Sequence, residues 1–268
     1  MTPSADLAQL DPRIRFVIEN GVARITIDQP AKRNAVAPSM WDAITALFTH
    51  CSGNTEVRVV VLTGEGEAFC SGTDLEELDM RNDISTGLTR LKRANRMVLA
   101  IYNCEKPVIA AVRGGAAGVG WSLALACDFI IASQTAKFGG GFLRVGLIPD
   151  GGSVFFLSRL LGEARAKEIA YTGRFVLPDE AVALGLALKA VPTDQLDASV
   201  AKLAGQLAKG PTTGIGLTKR MFRAAQGPTI EQYMDQEELG QICAKRTDDF
   251  QEGVKAFMEK RPVAFTGM

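Results

Sequence analysis

The sequence contains a single histidine, His50. A histidine-rich metal site cannot be built from it, and a Ser-His-Asp triad would have to use this one residue. His50 stands at the end of a helical pattern beside Cys51 and Ser52, a position typical of a helix-end or surface residue. We therefore expect no metal site, and we expect acid–base chemistry to depend on carboxylates, lysine, tyrosine or cysteine.

An excess of charge is also missing, because 30 lysines and arginines balance 30 aspartates and glutamates. This balance argues against nucleic acid or a membrane surface as a partner. The most apolar stretch, residues 116–132, is too short and too interrupted to cross a bilayer. The five cysteines form no Cys-x-x-Cys pair, and the N-terminus shows no basic region followed by an apolar stretch. We expect a cytoplasmic protein with reduced thiols.

Apolar residues make up 47% of the sequence. Many of them lie in short predicted strands that alternate with helical patterns. Two β-rich runs, 14–19 and 22–28, flank Asn20-Gly21, which is a strong hairpin signal. The repeated order of strand, turn and helix predicts an α/β fold with parallel strands. Further strands are predicted at 57–62, 108–112 and 129–131, and helices at 38–51 and 86–104.

From residue 151 onward the pattern is predominantly helical. Gly210-Pro211 resembles a boundary, because proline is favoured at the start of a helix. We expect a core with the substrate site over residues 1–208 and a helical oligomerisation region over 209–268. Apolar faces in this second region would suit either subunit contacts or packing on the core. Helices are predicted at 151–161, 163–172, 178–184, 194–208, 211–225, 229–244 and 247–259, with one strand at 186–191.

Two segments carry the main chemical signal: residues 69–75, FCSGTDL, and residues 114–128, GGAAGVGWSLALACD. Each is predicted to be a strand that ends in a turn of small residues and then starts a helix. Such turns leave backbone N–H groups unpaired and directed outward. Two of them facing each other would provide a pair of donors for a developing oxyanion. Asp74 and Glu77 have the spacing of a capping box for the helix after the first turn.

Five stretches of the chain, in this order, resemble the crotonase (enoyl-CoA hydratase/isomerase) superfamily over residues 14–267. The resemblance implies a crotonase-like spiral of ββα turns with a C-terminal helical trimerisation region. It also implies an acyl-CoA thioester as substrate, no cofactor apart from the CoA of that substrate, and a homotrimer or a dimer of trimers. The stretches are residues 30–35, 68–75, 106–128, 146–152 and 252–262.

The same resemblance implies roles for individual residues. The two oxyanion donors would be the backbone N–H groups of Thr73 and Val119. The implied CoA contacts are Lys32 and Arg33 at the phosphates, the backbone around Ala35, Ser71 and Leu75 at the pantetheine and adenine, and Phe257 and Lys260 at a neighbouring subunit's CoA. The alternative for Lys32 and Arg33 is a solvated pair in a loop. The alternative for Phe257 and Lys260 is a plain amphipathic C-terminal helix.

The chain departs from the hydratase pattern at two positions. Ser122 and Phe142 stand where hydratases carry the two glutamates that activate water and deliver a proton, and both could instead line the acyl pocket. A different carboxylate, Asp150, stands where other branches of the superfamily place an aspartate. The apolar residues 147–149 before it would raise its pKa. Asp150 could also cap a helix that starts at Gly151.

These features favour an enoyl-CoA isomerase that moves a proton between two carbons through a thioester enolate, with Asp150 as acid and base. Three alternatives stay open. One is an enoyl-CoA hydratase, and another is a different Asp150-dependent reaction of an acyl-CoA, such as ring-epoxide isomerisation or dehalogenation. The third is a non-catalytic acyl-CoA-binding or scaffold protein.

Overall fold

The computed structural model describes residues 10–77 and 83–268 of the chain. Strands β1 (Ile14–Glu19) and β2 (Val22–Ile27) form the predicted antiparallel hairpin. Asn20 and Gly21 between them have φ angles of 51° and 78°, the left-handed conformation that an Asn-Gly turn adopts readily. The other strands are β3 (Val59–Gly64), β4 (Val108–Val112), β5 (Gly115–Ala117), β6 (Phe129–Ser133), β7 (Lys137–Gly139) and β8 (Lys189–Val191).

The helices of the described residues follow the predicted pattern, including the helical run at the C-terminal end. Three short 3-10 helices lie at Pro30–Lys32, Phe142–Val145 and Thr193–Gln195. None of the described helices is both long and apolar enough to cross a membrane. The α-helices are α1 (Pro38–Gly53), α2 (Ile84–Asn103), α3 (Val119–Leu125), α4 (Ser153–Leu161), α5 (Glu163–Thr172), α6 (Pro178–Ala183), α7 (Leu196–Ala208), α8 (Thr212–Ala224), α9 (Ile230–Ala244) and α10 (Asp248–Glu259).

The large sheet has six strands in the order β1-β2-β3-β4-β6-β8, and every pair except the hairpin is parallel. A smaller parallel sheet of β5 and β7 is extended by isolated bridges between Val36 and Thr73, Cys70 and Ala116, and Phe138 and Val176. After a strand of the large sheet, the chain therefore adds a short segment to the smaller sheet and then enters a helix. This repeated path is the spiral of ββα turns that the resemblance implied.

Both faces of the large sheet are covered. Val60 and Leu62 of β3 belong to the main core between the sheet and α1, α2 and α3, which also buries Trp41 and Trp121. The alternate residues of β3 face the other way and pack against α7. All six residues of β3 are buried as a result, which explains the apolar run over residues 59–62.

The structure corrects three element boundaries. The helix expected directly after Asp74 is absent from residues 74–77, which form a bend, and α2 begins only at Ile84; residues 78–82 lie outside the described part of the chain. The helix expected from Gly151 begins at Ser153. The strand expected from residue 186 is limited to β8, because the preceding residues close the turn after α6.

Candidate active site

The two small-residue turns lie in direct contact. Cys70 forms a parallel bridge with Ala116, and its N–H donates to the Gly115 carbonyl at 3.0 Å. Beyond this bridge the turns meet at Gly72 and Gly118, whose φ angles are 110° and 53°. A Cβ on Gly118 would lie 3.6 Å from the Cα of Gly72, so the two backbones touch. The structure thus brings together the two segments that carry the main chemical signal.

The backbone N–H groups of Thr73 and Val119 belong to these two turns. The Val36 N–H donates to the Gly72 carbonyl at 2.8 Å, and the Asp74 N–H donates to the Val36 carbonyl at 3.0 Å. Because N–H directions alternate along an extended chain, that of Thr73 points away from Val36, towards the second turn. Val119 is the first residue of α3, where a helix leaves its N–H groups unpaired. Within the described residues, neither N–H donates a hydrogen bond.

The loop of residues 29–36 runs along the first turn and carries candidate CoA contacts. The Ser71 N–H donates to the Arg33 carbonyl at 3.0 Å, and the Ser71 hydroxyl donates to the Lys32 carbonyl at 3.1 Å. These bonds place the loop and the turn side by side. Five of the predicted CoA-binding residues therefore lie on one stretch of structure: Lys32, Arg33, Ala35, Ser71 and Leu75.

Lys32 is paired with two carboxylates. Its Nζ lies 2.8 Å from the Asp74 carboxylate and 2.9 Å from that of Glu76, and both contacts raise the pKa of Lys32. Burial pushes the pKa of Asp74 up, but hydrogen bonds from Lys32 and from the Glu76 N–H outweigh it and hold that pKa below its usual value. Among the described residues Asp74 caps no helix, and Glu77 pairs with Arg13. The predicted capping box is therefore wrong.

Sequence reasoning missed Asn34, which is fully buried in this loop. Its side-chain amide donates to the carbonyls of Glu65 at 2.8 Å and Ala68 at 2.6 Å, and its side-chain oxygen accepts the Gln29 N–H at 2.9 Å. Asn34 thereby fixes the loop to the turn after β3. Residue 34 has a φ of 57°, a left-handed conformation that asparagine tolerates. The residue type itself was therefore the one signal that the sequence offered.

Asp150 lies in the turn before α4 and does not cap that helix. The N-cap residue is Gly152, and the Asp150 carbonyl, not its carboxylate, accepts the Ser153 N–H at 3.1 Å. The capping interpretation of Asp150 is therefore wrong. Its carboxylate oxygen Oδ1 is buried and has no hydrogen-bond partner among the described residues. An unpaired buried oxygen is unfavourable for folding, and a native protein that keeps one often uses it in its function.

Burial raises the pKa of Asp150, and the positive charge of Arg90 opposes this shift. The direction agrees with the expectation from the sequence, but the surroundings differ. Leu147 and Ile148 are 59% and 81% exposed, so they do not enclose the carboxylate. The next residue, Gly151, is instead buried against α3.

The two positions that lack the hydratase glutamates are both buried. Ser122 lies on α3 and donates its hydroxyl to the Asp150 carbonyl at 3.0 Å. Phe142 is 9% exposed and begins a 3-10 helix. A Cβ on Gly151 would lie 3.5 Å from the Cγ2 of Val119. The turn that carries Asp150 therefore passes close to the first residue of α3.

Comparison with known proteins decides the family. The sequence model described as "Enoyl-CoA hydratase/isomerase" matches residues 17–268. The chain belongs to the enoyl-CoA hydratase/isomerase family. A "Probable enoyl-CoA hydratase" of Rhodobacter capsulatus is 39% identical over 95% of this chain and 98% of that protein. The 1,2-epoxyphenylacetyl-CoA isomerase of Escherichia coli K12 is 34% identical over 93% of this chain and 97% of that protein.

Solved structures of this family have the same fold. The crystal structure of an enoyl-CoA hydratase from Polaromonas sp. JS666 matches with a TM-score of 0.89 at 32% identity. The match covers 94% of this chain and 99% of that one. The expected crotonase-like α/β fold is confirmed, and so is the prediction of an enzyme of the enoyl-CoA hydratase/isomerase family.

Two predicted CoA contacts of this family member lie far along the chain, one on the last helix and one directly after it. Phe257 of α10 is 82% exposed and borders a groove that Pro211, Phe250 and Phe265 also line. Lys260 follows the helix in a left-handed conformation, with φ of 51°. Their role at a neighbouring subunit's CoA stays a prediction. Among the described residues, no group of three or more histidine, cysteine or carboxylate side chains could hold a metal ion.

Proposed function

We propose that the protein is an enoyl-CoA isomerase that uses Asp150 as its single acid and base. The observation that carries this proposal is the buried Oδ1 of Asp150, which lacks a hydrogen-bond partner among the described residues. A carboxylate with a raised pKa and no partner is suited to take up a proton and to return it. Its turn passes close to Val119, whose N–H is one of the two proposed oxyanion donors.

The proposed reaction starts from a 3-enoyl-CoA. The Asp150 carboxylate removes a proton from C2, and the electron pair of the broken C–H bond moves into the thioester to give a dienolate. The negative charge on the thioester oxygen is stabilised by the N–H groups of Thr73 and Val119. The protonated Asp150 then delivers the proton to C4, the dienolate collapses, and a 2-enoyl-CoA leaves. The CoA belongs to the substrate, so the reaction needs no further cofactor.

The proposed CoA site is the surface formed by the loop of residues 29–36 and the first turn. Lys32 and Arg33 supply positive charge for phosphate groups. Lys32 is already oriented by Asp74 and Glu76, which limits the entropy lost when it binds. The backbone around Ser71 lies between this charge and the N–H of Thr73, so a CoA thioester can extend from one to the other.

The chain is poorly suited to hydration, because a hydratase needs a second acidic group at the site. Ser122 is buried and its hydroxyl is taken up by the Asp150 carbonyl, while Phe142 has no ionisable group. The second candidate function is isomerisation of a ring-epoxide CoA ester. The identity of 34% with 1,2-epoxyphenylacetyl-CoA isomerase favours it, and such a reaction would also rest on Asp150.

The test is conversion of 3-enoyl-CoA and 2-enoyl-CoA in D₂O, followed by NMR and mass spectrometry, with wild type, Asp150→Asn and Glu77→Gln. Glu77 is the control, because its carboxylate is exposed and paired with Arg13. We expect isomerisation with deuterium exchange at C2 and C4, a loss of about 100-fold or more in Asp150→Asn, and wild-type rates in Glu77→Gln. Accumulation of 3-hydroxyacyl-CoA as the main product would overturn the isomerase proposal in favour of hydration.

We also propose that the enzyme is a homotrimer or a dimer of trimers. None of the residues of α9 is buried in the single chain, although the helix carries several large apolar side chains. Several large apolar side chains exposed on one helix are typical of a subunit contact. Analytical ultracentrifugation that shows a monomer at micromolar concentration would contradict this proposal. The exposed apolar residues of α9 are Ile230, Met234, Leu239 and Ile242.

A further inference from the structure

Ser122 connects two elements that the proposed reaction requires. Its hydroxyl, on α3, donates to the Asp150 carbonyl at 3.0 Å. The same helix begins with Val119, one turn earlier, whose N–H is a proposed oxyanion donor. The bond therefore joins the helix that carries a donor for the thioester oxygen to the turn that carries the base.

The contact between α3 and the turn is close as well as hydrogen-bonded. Gly151 has a φ of 59°, and a Cβ added there would lie 2.8 Å from the Ser122 Cβ and 2.9 Å from its Oγ. Such distances are too short for any side chain at residue 151, so the backbone of the turn rests directly on Ser122. Ser122 itself is fully buried. Its small size and its hydroxyl are both used by this contact.

A second hydroxyl gives a natural comparison. Ser153 is also buried, and its Oγ donates to the same Asp150 carbonyl at 3.0 Å. That bond lies within one short turn, where the Ser153 N–H donates to the same oxygen at 3.1 Å. The Ser153 hydroxyl thus adds to a contact that the backbone already makes, whereas the Ser122 hydroxyl comes from a different element.

We infer that Ser122 is a positioning residue, which holds the Asp150 turn at a fixed distance from the oxyanion donor of Val119. This inference rests on the proposed function, because it concerns the carboxylate and the donor of that reaction. A base displaced by about 1 Å from its productive position lowers the rate of a reaction by about 100-fold, while substrate binding through CoA is unaffected. Ser122 would then influence kcat without touching the substrate.

The test compares Ser122→Ala, Ser122→Cys, Ser153→Ala and Asp150→Asn. For each variant, kcat is measured with 3-enoyl-CoA, Kd is measured by calorimetry with a saturated acyl-CoA that cannot isomerise, and Tm is measured by thermal unfolding. The cysteine variant keeps a polar side chain with one heavy atom beyond Cβ, slightly larger than that of serine, and replaces the hydroxyl by a weaker donor, so it tests the role even if the alanine variant is poorly folded.

We expect kcat to fall at least about 10-fold in Ser122→Ala, with an intermediate loss in Ser122→Cys and a loss of less than about 3-fold in Ser153→Ala. The Kd should stay within about 2-fold of wild type in all three. Equal kcat losses in Ser122→Ala and Ser153→Ala, or a wild-type kcat in both variants of Ser122, would overturn the inference alone. A wild-type kcat in Asp150→Asn would instead overturn the proposed function.

Discussion

At the scale of single residues, the carboxylate of Asp150 is the feature that most needs an explanation. A buried polar atom without a partner typically costs about 1–3 kcal/mol of folding free energy. Within the described part of the chain Oδ1 of Asp150 is such an atom, although the nearby Ser153 forms both backbone and hydroxyl bonds in the same turn. Exceptions of this kind concentrate at functional sites, since there the partner is supplied by a substrate.

Arg90 provides a prediction on pH dependence. Burial raises the pKa of Asp150, and the Arg90 guanidinium lowers it again. Removing that charge in Arg90→Met should therefore raise the pKa of Asp150 further. Because Asp150 must be ionised to accept a proton, kcat/KM rises with pH through this pKa. The acid limb of the kcat/KM profile should thus move to higher pH in Arg90→Met.

The control for this prediction is Arg93→Met, on the same helix. Arg93 donates to the Pro38 carbonyl at 3.1 Å and pairs with Asp42, and it does not contribute to the pKa of Asp150. Its acid limb should coincide with that of wild type. An acid limb that moves to lower pH in Arg90→Met, or that moves equally in both variants, would show that Arg90 does not act on Asp150 by its charge.

At the scale of elements, the two turns depend on glycine where the backbone needs it. Gly118 has φ 53° and ψ −133°, a conformation that side chains with a Cβ strongly disfavour. In Gly118→Ala the turn must either bear a strain of about 1–3 kcal/mol or move, and with it the Val119 N–H. Loss of one oxyanion donor lowers kcat by about 100–1000-fold. We expect kcat of Gly118→Ala to fall by about 100-fold.

Gly185→Ala is the matched control for this variant. Gly185 also has a positive φ, 74°, and a Cβ there would meet no atom within 4 Å. We expect it to lower the thermal stability slightly and to leave kcat unchanged. Steady-state kinetics that give the two variants the same kcat would refute the role assigned to the second turn.

The elements also show how far the sequence alone could lead. Strongly periodic segments such as α1 and α10 lie within two residues of their predicted ends. Lys32, which lies 42 residues earlier in the chain, pairs with the Asp74 carboxylate, and no local pattern reveals this tertiary contact. Asp150 failed as a cap because the chain turns at two glycines before α4 begins, and the N-cap residue is Gly152.

At the scale of the whole molecule, Arg58 ties the C-terminal helices to the sheet. It precedes β3, and its guanidinium donates to the carbonyls of Gly210 at 2.6 Å and Thr266 at 2.5 Å and to the Thr212 hydroxyl. We expect Arg58→Met to lower the free energy of unfolding by about 2 kcal/mol. Hydrogen–deuterium exchange should also show reduced protection in α8 and α10.

Arg15→Met is the control at this scale. Arg15 is about half-exposed and its guanidinium forms ion pairs with Asp28 and Glu65, which are worth less than about 1 kcal/mol. Denaturant unfolding should therefore separate the two variants. If Arg58→Met is no less stable than Arg15→Met, then Arg58 does not hold the two parts of the chain together.

The overall fold of the molecule was predictable mainly through the resemblance. The tertiary hydrogen bonds between its segments were not predictable. The pattern of strands and helices indicated an α/β fold, and the five ordered stretches indicated the spiral. The bonds of Arg58, Asn34 and Ser122 join segments that lie far apart in the chain, and no local propensity reports them. These bonds determine where the candidate site residues lie relative to one another.

The central claim, that one carboxylate carries the proton from C2 to C4, can be tested directly by isotope transfer. A 3-enoyl-CoA with two deuterium atoms at C2 would be converted in ordinary water during a single turnover, and the product would be analysed by NMR and mass spectrometry. The account predicts that part of the deuterium appears at C4 of the 2-enoyl-CoA, and that Asp150→Asn abolishes the conversion. Product without deuterium at C4, formed at an undiminished rate by Asp150→Asn, would contradict it.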